Sequence, residues 1–176
     1  MRRIRYRIAT SLDGYIAGPK GEYDWIVPDP DRDFLTLFSP FDTVLLGRRT
    51  YELTLSPGAP PWPPGIRVVV FSRTLQPRDH PGVTVVRDKI EDAVADLRAE
   101  AGKDIWLFGG ASLFRSLLAV RLVDTVEVAV IPVLLGEGIP LLLPPARRTK
   151  LKLTGHHASS TGIVSLEYAV SSHADQ

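Results

Sequence analysis

The hydrophobic residues of this chain recur with two periods, and the shorter period predicts strands. Ile4 to Ala9 alternates apolar and basic residues and then meets Asp13-Gly14, which is typical of a strand that runs into a turn. Arg67 to Phe71 is a nearly continuous β-branched run, typical of a strand that is buried on both faces of a parallel or mixed sheet. Similar runs predict further strands at Thr43–Leu46, Val83–Val86, Asp104–Phe108 and Asp124–Val133.

The end of the chain predicts a hairpin. Two alternating runs, Leu151 to His156 and Ile163 to Val170, are joined by a polar turn that ends at Gly162. We therefore expect at least one antiparallel strand at the edge of the sheet.

The longer period predicts helices between the strands. From Asp88 to Gly102 the apolar side chains fall on one face, with Asp88 as the expected N-cap and Gly102 as the expected end. Ser112 to Val120 also carries apolar residues at helical spacing. A shorter helix is expected around Phe34–Phe38, ended by Pro40.

This alternation of strands and helices predicts an α/β protein whose sheet is largely parallel. The 176 residues fit one domain, which we expect to span residues 1–171, followed by a polar tail at 172–176. The proline-rich segment 56–65 cannot supply regular backbone donors, so it is expected to be an exposed loop, either a plain connection or a binding segment.

Composition excludes several classes of function. A formal net charge of +1 argues against a nucleic-acid or membrane-surface partner. The chain has no cysteine, which excludes disulfides and thiolate metal sites and fits a cytoplasmic protein. Arg5, Arg7 and Asp13 interrupt any apolar signal region, and the apolar stretch 128–143 is broken by proline and glycine, so neither export nor a membrane span is expected.

Three polar or glycine-rich turns follow predicted strands: Gly47-Arg48-Arg49-Thr50, Ser72-Arg73 and Gly109-Gly110-Ala111-Ser112. In open α/β sheets ligands gather at the carboxyl ends of the strands, so the three turns suggest one shared ligand with several phosphates. Each turn also has a plainer explanation. A glycine pair is often only a tight turn, hydroxyls cap helices, and most surface arginines are merely solvated.

The sequence offers few candidate residues for acid–base catalysis or for metal binding. Asp29, Asp31 and Asp33 crowd the start of the short helix, where carboxylates stabilise a helix N-terminus but where one could also donate a proton. The four histidines show no metal-ligand spacing, so no metal is expected.

Four segments resemble the dihydrofolate reductase superfamily. Three of them occur in the same order and at the same spacing as in that family: Ala9-Thr10-Ser11-Leu12-Asp13-Gly14-Tyr15-Ile16-Ala17, Leu46-Gly47-Arg48-Arg49-Thr50-Tyr51-Glu52 and Leu107-Phe108-Gly109-Gly110-Ala111-Ser112-Leu113. The first segment and Leu135-Gly136-Glu137-Gly138-Ile139-Pro140-Leu141 are most similar to the reductase domain of the bacterial riboflavin-biosynthesis deaminase/reductase.

The resemblance implies a three-layer fold, with helices on both faces of a mixed, mostly parallel sheet, and NADPH as cofactor. Its nicotinamide would be lined by Ala9, Ile16 and Ala17, and its phosphates held by Gly47, Arg48 and Thr50. The adenosine 2′-phosphate would meet Ser72 and Arg73, and Gly109, Gly110, Ala111, Ser112 and Leu113 would cradle the pyrophosphate. The family's two matching glycines are joined by a cis peptide, and related reductase domains are commonly dimers, so a homodimer is expected.

Departures from the folate reductases point to another substrate. Ile66 stands where those enzymes have the arginine for the glutamate tail, although Arg67 is adjacent. The threonine that supports their catalytic acid would fall at Ala129 or Val130, and the acid itself matches Asp31.

We therefore expect hydride transfer from NADPH to a pyrimidine- or pterin-like heterocycle. A true dihydrofolate reductase is one alternative, and a non-catalytic nucleotide-binding protein that kept the fold is another. The zinc-deaminase motif that usually accompanies riboflavin-pathway reductases is absent from this sequence.

Overall fold

The computed structural model describes residues 1–27, 29 and 34–171, with the backbone alone for residues 34 and 35. Across these residues eight strands form one sheet in the order β5-β4-β3-β6-β1-β7-β10-β9. Its strands are β1 (Ile4–Ser11), β3 (Phe41–Gly47), β4 (Arg67–Phe71), β5 (Val83–Val86), β6 (Asp104–Gly109), β7 (Thr125–Ile131), β9 (Leu151–Ala158) and β10 (Val164–Val170). A separate antiparallel pair joins β2 (Tyr15–Ala17) to β8 (Ile139–Pro140).

The sheet is mostly parallel, as the strand–helix alternation predicts. Every neighbouring pair from β5 through β7 is parallel, and only β10 runs antiparallel to β7 and to the edge strand β9. The terminal hairpin predicted from the two alternating runs is therefore confirmed.

Helices cover both faces of the sheet, because the central strands bury side chains on both sides. In β3, Leu45 joins one hydrophobic cluster whereas Val44 and Leu46 join the other. The first cluster contains apolar residues of α3 (Ile90–Ala99) and α4 (Ala111–Ala119). The second contains Phe38 of α1 (Phe34–Phe38) and Tyr51 of α2 (Arg48–Thr54). The result is the expected three-layer architecture.

The helix predicted from Asp88 to Gly102 is shorter at both ends. It begins after Lys89, which occupies the N-cap with a left-handed backbone (φ 51°) and no side-chain cap, so the prediction of Asp88 as N-cap is wrong. It ends at Ala99, because the next residue, Glu100, is extended (ψ 155°), and Gly102 lies beyond it.

The proline-rich segment 56–65 packs against the core through its tryptophan. Trp62 meets Phe108 edge-to-face with ring centroids 5.2 Å apart, and Phe38 at 6.0 Å. The segment thus covers the second hydrophobic cluster, which favours a structural role.

The apolar segments 126–143 and 163–170 are only partly buried. Val126, Val128, Ile131 and Ile163 are buried within the chain, whereas Leu134 and Val164 are exposed. In the part of the chain that is described, no helix is both long and apolar enough to cross a bilayer.

Tyr6 provides a test of this packing. Its ring stacks on Phe114 at 3.8 Å, and its buried hydroxyl has no hydrogen-bond partner among the described residues. A buried hydroxyl without a partner is costly, so Tyr6→Phe should raise the free energy of unfolding by about 1 kcal/mol in urea denaturation.

The pH dependence of stability, compared between the wild type and Tyr6→Phe, supplies a control. Burial raises the pKa of the Tyr6 hydroxyl. The wild type should therefore lose stability as the pH rises above about 10, the ordinary tyrosine pKa, and Tyr6→Phe should reduce that loss. Lower stability of the variant at neutral pH would mean that the hydroxyl does have a partner.

Candidate functional site

A cleft of about 1710 Å³ opens along the carboxyl ends of the parallel strands. At its centre lie the neighbouring strands β3 and β6, and the helices that follow them go to opposite faces of the sheet. α2 packs in the second hydrophobic cluster, with Trp106, and α4 packs in the first, with Tyr6. This divergence is a topological switch point, the position where open α/β sheets bind ligands.

Nearly all of the predicted cofactor residues line this one cleft. They are Ile16, Ala17, Gly47, Arg48, Thr50, Ser72, Arg73, Gly109, Gly110, Ala111, Ser112 and Leu113. Ala9 does not line it, and its neighbour Ile8 does.

Two helix N-termini meet at the switch point. α2 begins after Gly47 and α4 after Gly110, and neither N-cap residue makes a side-chain cap. The first N–H groups of a helix have no intrahelical acceptor and carry the positive end of the helix dipole, so both termini favour an anion.

The glycines at this point allow the two chain segments to approach closely. The Gly109-Gly110 peptide is cis, as the resemblance implies, and Gly109 has a φ of 140°. A Cβ added to Gly110 would lie 3.0 Å from Oγ1 of Thr50, and one added to Gly47 would lie 3.8 Å from the Gly110 nitrogen. The site therefore presents backbone rather than side chains to a ligand.

Cationic groups follow the two outer strands. Arg73, after β4, is exposed and makes no ion pair or hydrogen bond with the described residues. Arg87, after β5, is held in place because its Nη2 donates to the carbonyl of Leu75 (3.1 Å) and to Oε1 of Gln76 (2.9 Å). Arg87 and Lys89 both line the cleft, and the sequence analysis missed both because neither lies in a recognised motif.

Two other predicted residues have partners within the chain. Nη1 of Arg48 lies 2.7 Å from the Glu52 carboxylate one helical turn away, which offsets part of its charge. The Ser72 hydroxyl accepts the backbone N–H groups of Thr74 (3.2 Å) and Leu75 (3.0 Å), which is the turn-forming role considered for it. The Ser72 Oγ also lies 3.4 Å from Oγ1 of Thr74, and either hydroxyl can donate in that contact.

The cleft changes from charged to apolar along its length. The β4–β5 end is lined by charged residues of both signs, whereas the end near β1 is lined by Ile8, Ile16 and Ile139. The cations are Arg73, Arg87 and Lys89, and the carboxylates are Asp88, Glu91 and Asp92. From β5 to β1 the sheet crosses four strand spacings, a span of roughly 19 Å at ~4.8 Å each. A ligand that fits this cleft is elongated, with a charged end that Arg73 and Arg87 can pair with and an apolar end.

The expected proton donor, Asp31, lies outside the described residues, as does Asp33, and Asp29 is not among the described residues that line the cleft. Ala129 pairs with Ala9 across β7 and β1, and neither Ala129 nor Val130 has a side-chain donor. Among the described residues no group of three or more histidines or carboxylates could hold a metal ion.

Comparisons with known proteins agree with this architecture. A family model described as the RibD C-terminal domain matches residues 2–165. The uncharacterized protein YyaP of Bacillus subtilis (strain 168) is 36% identical over 178 residues, which cover 95% of this chain and 94% of that protein.

Solved structures give the same result. A Shewanella sp. PV-4 protein, provisionally assigned to riboflavin biosynthesis, is 30% identical and has a TM-score of 0.83, covering 98% of this chain and all of that one. Enterococcus faecalis dihydrofolate reductase, complexed with NADP(H) and RAB-propyl, has a TM-score of 0.71 at 19% identity, covering 97% of each chain. The dihydrofolate-reductase-like fold expected from the resemblance is confirmed.

Gly109 should be intolerant of a side chain. A non-glycine residue at its φ of 140° is strained, by roughly 1–3 kcal/mol. Gly109→Ala should therefore lower the free energy of unfolding, measured in urea, and should also weaken binding of NADPH, the cofactor that the resemblance implies. Gly82→Ala is the control, because Gly82 has a positive φ (84°) and open space around it but does not line the cleft. Equal loss of nucleotide binding in the two variants would contradict a specific role for Gly109.

Proposed function

This chain belongs to the RibD C-terminal domain family, and on that basis we propose that it is an NADPH-dependent reductase that transfers a hydride to a substrate carrying a pyrimidine- or pterin-like heterocycle. Among named activities, the proposal is most like 5-amino-6-(5-phosphoribosylamino)uracil reductase of riboflavin biosynthesis. The observation that carries it is the row of anion-binding features along one cleft, with an apolar end beyond them.

The centre of the cleft fits a pyrophosphate. Two uncapped helix N-termini converge there, and the backbone of Gly109 and Gly110 leaves room that a Cβ would reduce. Ala111, Ser112 and Leu113 would supply backbone N–H groups from the first turn of α4, with Thr50 adding a hydroxyl.

The β4–β5 end fits a 2′-phosphate, which distinguishes NADPH from NADH. Arg73 is free to form charge-assisted hydrogen bonds, and Arg87 is already oriented by Leu75 and Gln76. A pre-oriented guanidinium loses less conformational entropy on binding.

The apolar end fits the nicotinamide ring. Bound NADPH would supply the hydride there, and Ile8, Ile16 and Ile139 would exclude water and hold the ring against the substrate. A proton would come from Asp31 or from a bound water.

Dihydrofolate is the weaker substrate candidate. Ile66 cannot pair with a carboxylate, and the Nη1 of the adjacent Arg67 is already 3.0 and 3.2 Å from the two carboxylate oxygens of Glu100.

We also propose that the protein is a cytoplasmic homodimer.

The cofactor is tested by titrating NADPH and NADH against the wild type and Arg73→Ala at fixed low salt. The wild type should prefer NADPH. A lost charged hydrogen bond is worth about 1.5–3 kcal/mol, so Arg73→Ala should weaken NADPH binding roughly 10- to 100-fold and leave NADH nearly unchanged.

Arg78→Ala is the matched control, because Arg78 is exposed and lies away from the cleft. It should leave both affinities unchanged. Failure of the wild type to bind either nucleotide would overturn the reductase proposal.

The substrate is tested by following NADPH absorbance with 5-amino-6-(5-phosphoribosylamino)uracil, a pterin and dihydrofolate. The aminopyrimidine or the pterin should be reduced faster than dihydrofolate, because Arg67 is occupied by Glu100. Faster turnover of dihydrofolate would instead favour a folate reductase. Tight NADPH binding without turnover of any of the three would favour a non-catalytic nucleotide-binding protein.

A further inference from the structure

The carboxylate of Asp13 joins two distant segments of the chain. It accepts the backbone N–H of Gly136 at 2.7 Å and that of Leu135 at 3.1 and 3.2 Å. It also accepts the Ser11 hydroxyl at 2.6 Å, and the Ser11 oxygen in turn accepts the Tyr15 N–H at 3.0 Å. These donors lower the pKa of Asp13 below its usual value, the Ser11 hydroxyl most of all and the Gly136 N–H next.

Backbone contacts on both sides of Asp13 extend the junction toward the cleft. The N–H of Leu12 donates to the carbonyl of Val133 (2.9 Å), and the N–H of Leu141 donates to the carbonyl of Gly14 (2.9 Å). Directly after the Gly14–Leu141 contact β2 pairs with β8, and the Gly138 backbone packs so closely on the Ala17 carbonyl that a Cβ could not be accommodated.

The paired segments form one wall of the apolar end of the cleft. Ile16 and Ala17 come from β2, and Ile139 comes from β8. β2 and β8 are two to three residues long and lie outside the main sheet. So short a pair is not stable by itself, and its position depends on the contacts at its ends.

We propose that Asp13 is a positioning residue for the nicotinamide half of the cofactor. It touches neither cofactor nor substrate. It fixes the β2–β8 wall by holding the N–H groups of Leu135 and Gly136, and through that wall it sets the shape of the apolar end. The inference rests on the proposed function, because it takes NADPH to be the ligand of the cleft.

The proposal separates the two halves of the cofactor. The groups expected to bind the phosphates follow β3, β4, β5 and β6, and none of them contacts Asp13. Loss of the Asp13 carboxylate should therefore weaken binding of the nicotinamide and leave binding of the phosphates intact.

The experiment compares NADPH with 2′-phospho-ADP-ribose, the same nucleotide without nicotinamide, by calorimetric titration of the full chain. The wild type should bind NADPH more tightly, by about tenfold. Asp13→Ala should bring the two affinities close together while leaving that for 2′-phospho-ADP-ribose within about twofold of the wild type.

Two further variants keep the test interpretable. Glu137→Gln removes an exposed carboxylate from the same loop, where it makes no contact with the described residues, and it should change neither affinity. Asp13→Asn keeps one carbonyl oxygen that can accept one of the N–H groups, so it should fall between wild type and Asp13→Ala. It carries the test if Asp13→Ala does not fold.

The outcomes distinguish the two proposals. A wild type that binds neither nucleotide overturns the proposed function, and this inference with it. A wild type that binds both nucleotides equally, or Asp13 variants that keep the wild-type ratio, overturn the positioning role alone. Equal weakening of both nucleotides would show that Asp13 supports the fold generally rather than the nicotinamide end.

Discussion

The structure depends on central strands that are buried on both faces. In β4, Val68 and Val70 enter one hydrophobic cluster while Val69 and Phe71 enter the other. A sheet of this kind needs a helical layer on each side, and parallel strands need crossover connections to supply those layers. The helices that follow neighbouring strands then go to opposite faces, and their N-termini lie at the carboxyl ends of the strands. The cleft lies between these N-termini, so it is a consequence of the burial of the strands on both faces.

The cleft is therefore a product of topology, and its chemistry is a product of a few residues placed at strand ends. Glycine at positions 47, 109 and 110 exposes backbone donors, while Arg73 and Arg87 add charge beyond them. At the ends of β3 and β6 the chemistry comes mostly from backbone groups, whereas Arg73 and Arg87 contribute through their side chains. A site built largely from helix termini and backbone loses little entropy when a ligand binds.

The sequence predicts these features to different degrees. The continuous run Arg67 to Phe71 correctly indicates a strand buried on both faces, and the glycine pair Gly109-Gly110 correctly indicates a turn at a strand end, where it lines the cleft. Arg87 was missed because its orientation depends on Leu75 and Gln76, which approach it only in the folded chain. The sequence analysis did not predict the β2–β8 pair, because these strands are too short to leave a periodic pattern. It did not predict the short helix α2, because residues 48–50 were interpreted as part of a binding motif.

The position of Arg87 after the edge strand β5 has an evolutionary consequence. An edge strand has a neighbour on one side only, so changes there disturb fewer contacts than changes in the centre of a sheet. Under the proposed function, the residues at the adenosine end could vary while the glycines of the centre and the apolar wall near β1 stayed the same. Preference between the two nicotinamide nucleotides would then be a modular property of this scaffold, able to diverge among its descendants independently of the chemistry at the opposite end.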